Sequence, residues 1–527
     1  MKIALAQINP TVGDLSGNVR KIVDFISRAK KENAELVVFP EMATTGYPPE
    51  DLLLKPQFVS DNLASLREII KASKKIATYI GFVDRKGRDL FNAGAFVIDG
   101  KLKETYHKIN LPNYAVFDEK RYFKEGKKIS VVNYKGMKIG LGICEDIWVE
   151  KGPYQKEAQR GAKLILNINA SPYHVGKVRE REKILKLRAK MTKSYVVYVN
   201  LVGGQDELVF DGGSMVVNPA GRIIAACEQY REKLAVFDLE KGGEIVPWLD
   251  ELTEIYEALL LGVADYVNKN GFGEVVVGLS GGIDSALTLT IAVDALGSNR
   301  VHALFMPSPY TSEQSYRNAE EVAKNLRVDF KVLPISEVFS SYLKVLAPYF
   351  EKQPVNIAEE NVQARIRGNY LMAFSNKFGW LVLTTGNKSE TSTGYCTLYG
   401  DMAGGFNVLK DIPKTLVYRL VNWRNKKGQV IPESVIKRAP TAELKPNQTD
   451  QDTLPPYEIL DPIMRAYVEQ NKSLKQIVNL GFDEATVKKV VSMIDRSEYK
   501  RRQAPPGPRI TSRAFGKDWR LPITNRY

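Results

Sequence analysis

Apolar residues recur along the first half of the chain in short runs, each followed by a stretch with charged faces. Candidate strands are Lys2 to Ile8, Leu36 to Phe39, Ile76 to Val83, Ala93 to Asp99, Lys138 to Ile143, Leu164 to Ile168, Tyr195 to Asn200 and Gly213 to Val217. Val19 to Glu32 and Lys177 to Thr192 have helical composition between them, which predicts one α/β domain of about 240 residues. Gly242-Gly243 and Pro247 interrupt the pattern within Leu239 to Trp248, so domains are expected at 1–245 and 246–527. The alternation then restarts with a helix over Leu249 to Val267, a buried strand over Glu274 to Leu279 and a helix over Ala286 to Leu296. Val301 to Phe305 and Leu381 to Thr385 supply further strands, the pattern of a second α/β unit. Beyond Ser497, Ala504-Pro505-Pro506-Gly507-Pro508 excludes a regular helix or central strand. A draped tail is expected there, anchored by Phe515, Trp519 and Leu521.

Composition narrows the class of molecule. The 527 residues are 44% hydrophobic and 26% charged, and no apolar run approaches the roughly 20 residues of a membrane helix. The strand-like alternation of Lys2-Ile3-Ala4-Leu5 leads to the expectation of an untargeted chain, and three cysteines, Cys144, Cys227 and Cys396, argue against a disulfide framework. A reducing, cytoplasmic setting with no membrane partner is the expectation. The formal charge of +14 raises the possibility of nucleic acid, but no zinc-finger spacing or aromatic RNA signature accompanies it. An enzyme for polyanionic nucleotides needs cations in any case, so no nucleic-acid partner is expected. With three histidines, His107, His174 and His302, a histidine-rich metal centre or a Ser-His-Asp triad has little material.

The most informative chemistry lies at Ser280-Gly281-Gly282-Ile283-Asp284-Ser285, between a predicted strand and a predicted helix. Unpaired N–H groups and the positive end of the helix dipole favour phosphate there, and glycine admits its oxygens closely. Ser280 and Ser285 add hydroxyl donors, and Asp284 is a candidate magnesium ligand. Downstream, Leu381 to Thr385 leads into Gly386-Asn387-Lys388-Ser389-Glu390, then Tyr399-Gly400-Asp401 and Gly404-Gly405. This mix of glycine, hydroxyl and carboxylate suits a nucleotide-and-metal site. The stretch Glu360 to Met372 reads as a helix carrying Asn361, Arg365 and Tyr370 near one face. In the first half, Glu41, Lys108 and Cys144 fall at the ends of likely strands or in adjacent loops, where α/β folds gather catalytic groups. Singly each has an ordinary explanation: a helix-start acid, a solvated lysine, a small packed thiol. Together a cation can favour the thiolate and the developing oxyanion, while a carboxylate removes the thiol proton.

The surrounding motifs give those three residues a family. Pro40-Glu41 with Thr45-Gly46-Tyr47-Pro48-Pro49, Lys108-Ile109-Asn110-Leu111-Pro112 and Gly142-Ile143-Cys144-Glu145-Asp146-Ile147-Trp148 resemble, in this order, the nitrilase or carbon–nitrogen hydrolase superfamily. That resemblance implies an α-β-β-α sandwich with a Glu-Lys-Cys amidase triad. By likeness to glutamine-using members, Tyr114, Ser171 and Lys177 are expected to contact L-glutamine. The second half is similar to the NAD synthetases of the ATP pyrophosphatase group, which implies a doubly wound parallel sheet. It also implies that Gly278, Leu279, Ser280, Gly281, Gly282, Ile283, Asp284, Ser285 and Thr385 contact ATP. Asn361, Glu390 and Lys500 are expected to contact deamido-NAD, with Asp284, Glu390 and Thr441 on Mg2+. The pairing implies a carbon–nitrogen ligase whose amidase half supplies ammonia, and a homo-oligomer, a dimer or larger, up to an octamer. A different glutamine amidotransferase of the same group would be expected to carry a Cys-His-Glu triad or an N-terminal cysteine, which this sequence does not offer. A tRNA-modifying enzyme would need further cysteines, and Cys396 stands alone in the second half.

Overall fold

The computed structural model describes all residues except 352, 447 and 527. Contacts divide the chain into two compact units, Met1–Glu251 and Leu252–Tyr527. The first runs past the glycine pair because Trp248 donates to Glu182 at 2.7 Å and the Leu249 N–H to Gln229 at 3.1 Å. Among the described residues no helix is long and apolar enough to cross a membrane.

The first unit stacks two six-stranded sheets. In one, Lys2–Gln7 lies between Lys233–Asp238 and Leu36–Val38, and Ala77–Lys86, Asp89–Ile98 and Lys101–His107 follow. The other runs Ile223–Ala226, Met215–Val217, Tyr195–Asn200, Leu164–Asn169, Met137–Ile143 and Val131–Tyr134. Alternate side chains of both, among them Leu5, Val38, Phe96, Leu141, Leu166 and Val197, meet in one apolar layer. Helices Leu15–Lys31 and Pro56–Ala72 cover the outer face of the first sheet through Ile22, Ile26 and Ile69. Pro153–Gln159 and Lys177–Thr192 cover the second through Tyr154, Leu185 and Ala189. This is an α-β-β-α sandwich. All four edge strands of these sheets, Lys233–Asp238, Lys101–His107, Ile223–Ala226 and Val131–Tyr134, are absent from the sequence pattern, and Lys101–His107 opens with Lys-Leu-Lys-Glu. Edge strands tolerate such charge because it blocks pairing with other chains.

In the second unit, five parallel strands lie in the order Asp329–Val332, Val301–Phe305, Val275–Gly278, Leu381–Thr384, Phe406–Asn407. Val275–Gly278 pairs with its successor Val301–Phe305 on one side and with the much later Leu381–Thr384 on the other. The winding therefore reverses at its carboxyl end, the position where doubly wound sheets open a crevice for ligands. The tail is fastened rather than loose. Asp411 accepts the N–H groups of Ile510 at 2.7 Å and Thr511 at 2.6 Å, and Phe515 is buried with Trp519 packed against it.

One fully buried ion pair staples the first unit. Arg181, on Lys177–Thr192, reaches Asp211 at 2.6 and 2.8 Å, and neither side chain sees solvent. Removing one member of such a pair strands the other charge in a dry interior, which costs about 3–5 kcal/mol. Arg181→Met is accordingly expected to lower the unfolding midpoint of this unit by an amount of that order, read by calorimetry. An unchanged midpoint would show the pair to be dispensable.

Candidate active sites

Glu41 lies just beyond the strand Leu36–Val38, and its orientation is over-determined. Oε2 accepts the Ala170 N–H at 2.7 Å, while Oε1 accepts Asn92 Nδ2 at 2.6 Å and Lys108 Nζ at 2.8 Å. Lys108 leaves Lys101–His107 and gives a second hydrogen bond to Glu119 Oε1 at 2.8 Å, an atom that also accepts the Tyr47 hydroxyl at 3.0 Å. Cys144 sits where Met137–Ile143 turns into the short helix Glu145–Trp148, at φ +43° and ψ −100°. A non-glycine residue held there is strained, a common mark of a presented nucleophile. Asp146 joins the two segments. Its Oδ1 accepts the Asn110 N–H and Asn110 Nδ2, both at 2.9 Å, while Oδ2 accepts the Tyr106 hydroxyl at 2.8 Å and the Ile143 N–H at 3.2 Å. One carboxylate thus ties the loop that carries Lys108 to the turn that carries Cys144.

Glu41, Lys108, Glu119 and Cys144 are all buried. Burial pushes the Cys144 thiol up and Glu41 adds to that, against the pull of Lys108. The resting form of Cys144 is therefore the thiol. Burial would strip the Lys108 proton, but Glu119 and Glu41 reverse that and hold the ammonium. Burial raises Glu119 to about 7, with Glu41 adding to it and Lys108 opposing.

The expected glutamine contacts stand in differing states. The Tyr114 ring is 56% exposed, and its hydroxyl donates at 3.0 Å to Glu145, the residue after Cys144. Lys177 opens its helix with Nζ 4.0 Å from the Trp148 ring centroid and 3.0 Å from Glu180. Ser171 is buried; its carbonyl accepts Arg181 Nη2 at 2.8 Å and its N–H donates to Asn200 at 2.9 Å.

In the second unit a cavity of about 390 Å³ opens at the winding reversal. Gly278, Leu279, Ser280, Gly282, Ile283, Asp284, Ser285, Thr385, Asn361, Glu390, Thr441 and Lys500 all line it. Gly281 does not; at φ +82° it packs so closely on the Ser315 carbonyl oxygen that a Cβ would collide. Ser285 Oγ closes the turn, donating to the Gly282 carbonyl at 3.0 Å and accepting the Ser280 N–H at 3.2 Å. Asp284 is ion-paired to Lys414 and accepts Asn387 Nδ2 at 3.0 Å; Lys414 also lies 3.6 Å from Glu390. Burial raises Glu390 to about 8, with Lys414 opposing and Asp284 adding. Thr441 donates to the Gln448 carbonyl at 2.6 Å, Thr397 donates to Asn361 at 2.8 Å, and Lys500 donates to the carbonyls of Gly394 and Cys396 at 2.6 and 2.7 Å.

Known proteins repeat this division. The carbon-nitrogen hydrolase family matches residues 2–243 and the NAD synthase family residues 255–504. The chain is 46% identical to the glutamine-dependent NAD(+) synthetase of Thermotoga maritima, over 100% of this chain and 99% of that protein. It is 45% identical to the Aquifex aeolicus protein of the same name, over 100% of both. The chain belongs to the glutamine-dependent NAD+ synthetases. A structure of the Acinetobacter baumannii glutamine-dependent NAD+ synthetase in complex with ADP superposes at TM-score 0.80, with 45% identity over 99% of this chain and 98% of that one.

Membership of the glutamine-dependent NAD+ synthetases does not by itself place every side chain. Helix Ile357–Phe378 turns Asn361, Ala364, Arg367, Gly368 and Leu371 to the cavity, whereas neither Arg365 nor Tyr370 lines it. At about 100° per residue, Tyr370 lies half a turn from Asn361, so the face expected from sequence is corrected by roughly a quarter turn. Lys414 and Glu119 were not singled out, because neither sits in a motif. Glu119 follows Asp118 in a charged stretch that reads as surface, and only tertiary contact with Lys108 reveals it.

The Glu119 shift has a stability consequence. Its ordinary value is 4.5 and its folded value about 7, so its contribution is complete below pH 4.5 and is lost as pH rises through 7. Glu119→Gln is expected to flatten that part of the stability curve of the first unit, measured as unfolding midpoints across the window. A variant that keeps the wild-type slope would assign the slope to another group.

Proposed function

We propose that this chain makes NAD from deamido-NAD, ATP and L-glutamine, with Glu41, Lys108 and Cys144 as the glutaminase centre and the cavity at Ser280 to Ser285 as the synthetase centre. The observation that carries the first assignment is the shared geometry of Glu41 and Lys108 with the strained turn at Cys144. The Cys144 sulfur attacks the glutamine amide carbon as Glu41 takes the thiol proton, and Lys108 offsets charge on the carbonyl oxygen. The C–N bond breaks, ammonia leaves with the proton that Glu41 held, and the thioester is hydrolysed by water activated at the same carboxylate. Tyr114, Ser171 and Lys177 are assigned to binding glutamine, the first and last beside Glu145 and Trp148 of the turn that follows Cys144.

In the second unit, the deamido-NAD carboxylate attacks the α-phosphorus of ATP and pyrophosphate leaves; ammonia then displaces AMP to form the carboxamide. The turn lining the cavity supports ATP phosphate binding, with Thr385 alongside, and the ADP complex of the Acinetobacter baumannii relative agrees with nucleotide binding. Asn361, Glu390 and Lys500 are assigned to deamido-NAD.

Magnesium fits the donors. Asp284 and Glu390 are hard carboxylates at one Lys414. Among the described residues no group of three or more His, Cys, Asp or Glu could hold a metal, which suits an ion that takes its other ligands from phosphate and water. Asp284 and Glu390, with the Thr441 hydroxyl, would hold it; when bound it offsets phosphate charge.

A homo-oligomer, from dimer to octamer, is the assigned assembly. The cytoplasm is the assigned compartment.

The deciding experiment supplies deamido-NAD, ATP and amide-labelled glutamine; NAD lacking the label would sink the coupled reaction. Cys144→Ala is expected to abolish glutamine-driven synthesis while sparing ammonia-driven synthesis, and equal loss of both in a folded protein would refute the division. Asp284→Ala is expected to lose synthesis with either nitrogen source. Turnover retained with ammonia at ordinary magnesium would remove Asp284 from the ATP site.

A further inference from the structure

The cations around the synthetase cavity are not alike. Lys414 is matched by Asp284 and Glu390, and Arg438 by Glu443. Lys500 is occupied by two carbonyls. Arg367 differs from them all. It lines the cavity from helix Ile357–Phe378, and among the described residues no carboxylate lies within ion-pair distance of it. Among the described residues its one hydrogen bond runs from Nε to the Met306 carbonyl at 2.9 Å, and the four N–H groups of the guanidinium fork have no acceptor there. Glu443, the acid that acts on its charge, is already spent on Arg438. Burial pulls Arg367 down to about 10, still protonated at neutral pH. A desolvated cation without a counter-charge is costly, and such a group in a cavity signals an anion that arrives with the ligand.

Position says which anion. Met306 directly follows Val301–Phe305, the strand beside Val275–Gly278, and the Leu279 N–H donates to the Leu304 carbonyl at 2.9 Å. The Met306 methyl and the Leu371 side chain, one helical turn beyond Arg367, press against Gly278, where a Cβ would stand 3.3 Å from each. The guanidinium is therefore anchored at the carboxyl end of the strand beside the one from which the phosphate turn springs.

We propose that Arg367 binds the pyrophosphoryl part of ATP in the cavity it shares with the Ser280 to Ser285 turn and offsets the charge that grows on it as pyrophosphate departs. In that step the carboxylate oxygen bonds to the α-phosphorus, the bond from that phosphorus to the bridging oxygen breaks, and the bridging oxygen keeps the electron pair. The fork meets two phosphoryl oxygens at once, which a lysine ammonium in its place does not. This inference rests on the proposed synthetase reaction, and its test separates the two.

Full-length Arg367→Ala and Arg367→Lys are compared with wild type in ammonia-driven synthesis, with glutaminase turnover and the unfolding midpoint as checks on folding. For Arg367→Ala, kcat/KM for ATP is expected to fall about 10- to 100-fold while KM for deamido-NAD stays within about twofold. Guanidinium added to the alanine variant is expected to restore part of the loss, and Arg367→Lys to fall between. Pyrophosphate alone, titrated calorimetrically, is expected to bind the alanine variant at least about tenfold more weakly. A rise confined to KM for deamido-NAD would move Arg367 to the dinucleotide and overturn the proposal, as would unchanged ATP kinetics or unchanged pyrophosphate binding. Should wild type make no NAD, the reaction fails, while pyrophosphate titration still decides Arg367.

Discussion

Everything reactive in the first unit hangs on one desolvated ammonium. Lys108 is buried between Glu41 and Glu119, 2.8 Å from each, and keeps its proton because those acids surround it. Each neighbour is aligned in turn by uncharged donors: the Ala170 N–H and Asn92 amide on Glu41, the Tyr47 hydroxyl on Glu119. With two acids and one cation, the cluster carries surplus negative charge whenever both acids ionise. Burial, with Glu41 adding to it against the pull of Lys108, keeps the neighbouring sulfur protonated, and in the proposed reaction a carboxylate rather than a free thiolate starts the chemistry.

The second unit meets the same constraint from the opposite side. Its cavity holds acids clustered at Lys414 and one guanidinium with no acid of its own. Local charge of both signs is left unbalanced in a confined space, an arrangement that suits the proposed ligand, which carries phosphate with a counter-cation. On that proposal the units differ in timing: the first unit's cluster is internally closed, and the second's is completed by what it binds.

Much of this was legible because the chemistry sits where period and punctuation coincide. The strand Val275–Gly278, the glycine turn and the helix Ile283–Leu296 are local, so backbone pattern and phosphate logic agree before any tertiary contact is known. Tyr195–Asn200 and Val301–Phe305 read true for the same reason, as uninterrupted apolar runs. What stayed hidden depends on distant segments meeting. Glu119 is invisible until Lys108 arrives, Lys414 until Asp284 does, and the strand Lys233–Asp238 acquires its role only by pairing with Lys2–Gln7. The side of helix Ile357–Phe378 was misread because its charged residues run nearly all round it, and only the position of the sheet edge selects Arg367 over Arg365.

The fastened tail bears on how the protein is made. Lys388 is buried among Asp411 and Glu469, and its remaining hydrogen bonds go to Thr511 and the Arg513 carbonyl. Phe515 then completes an apolar cluster with Leu460, Ile463 and Ile494. During synthesis the first unit has all of its strands once residue 238 has emerged, because its last strand seals its first. The second has all the strands of its crevice once residue 407 has emerged, yet leaves a buried lysine half-solvated until the segment around residue 515 has followed. In the nascent chain the first unit can therefore close while the second still waits for the segment that buries Lys388.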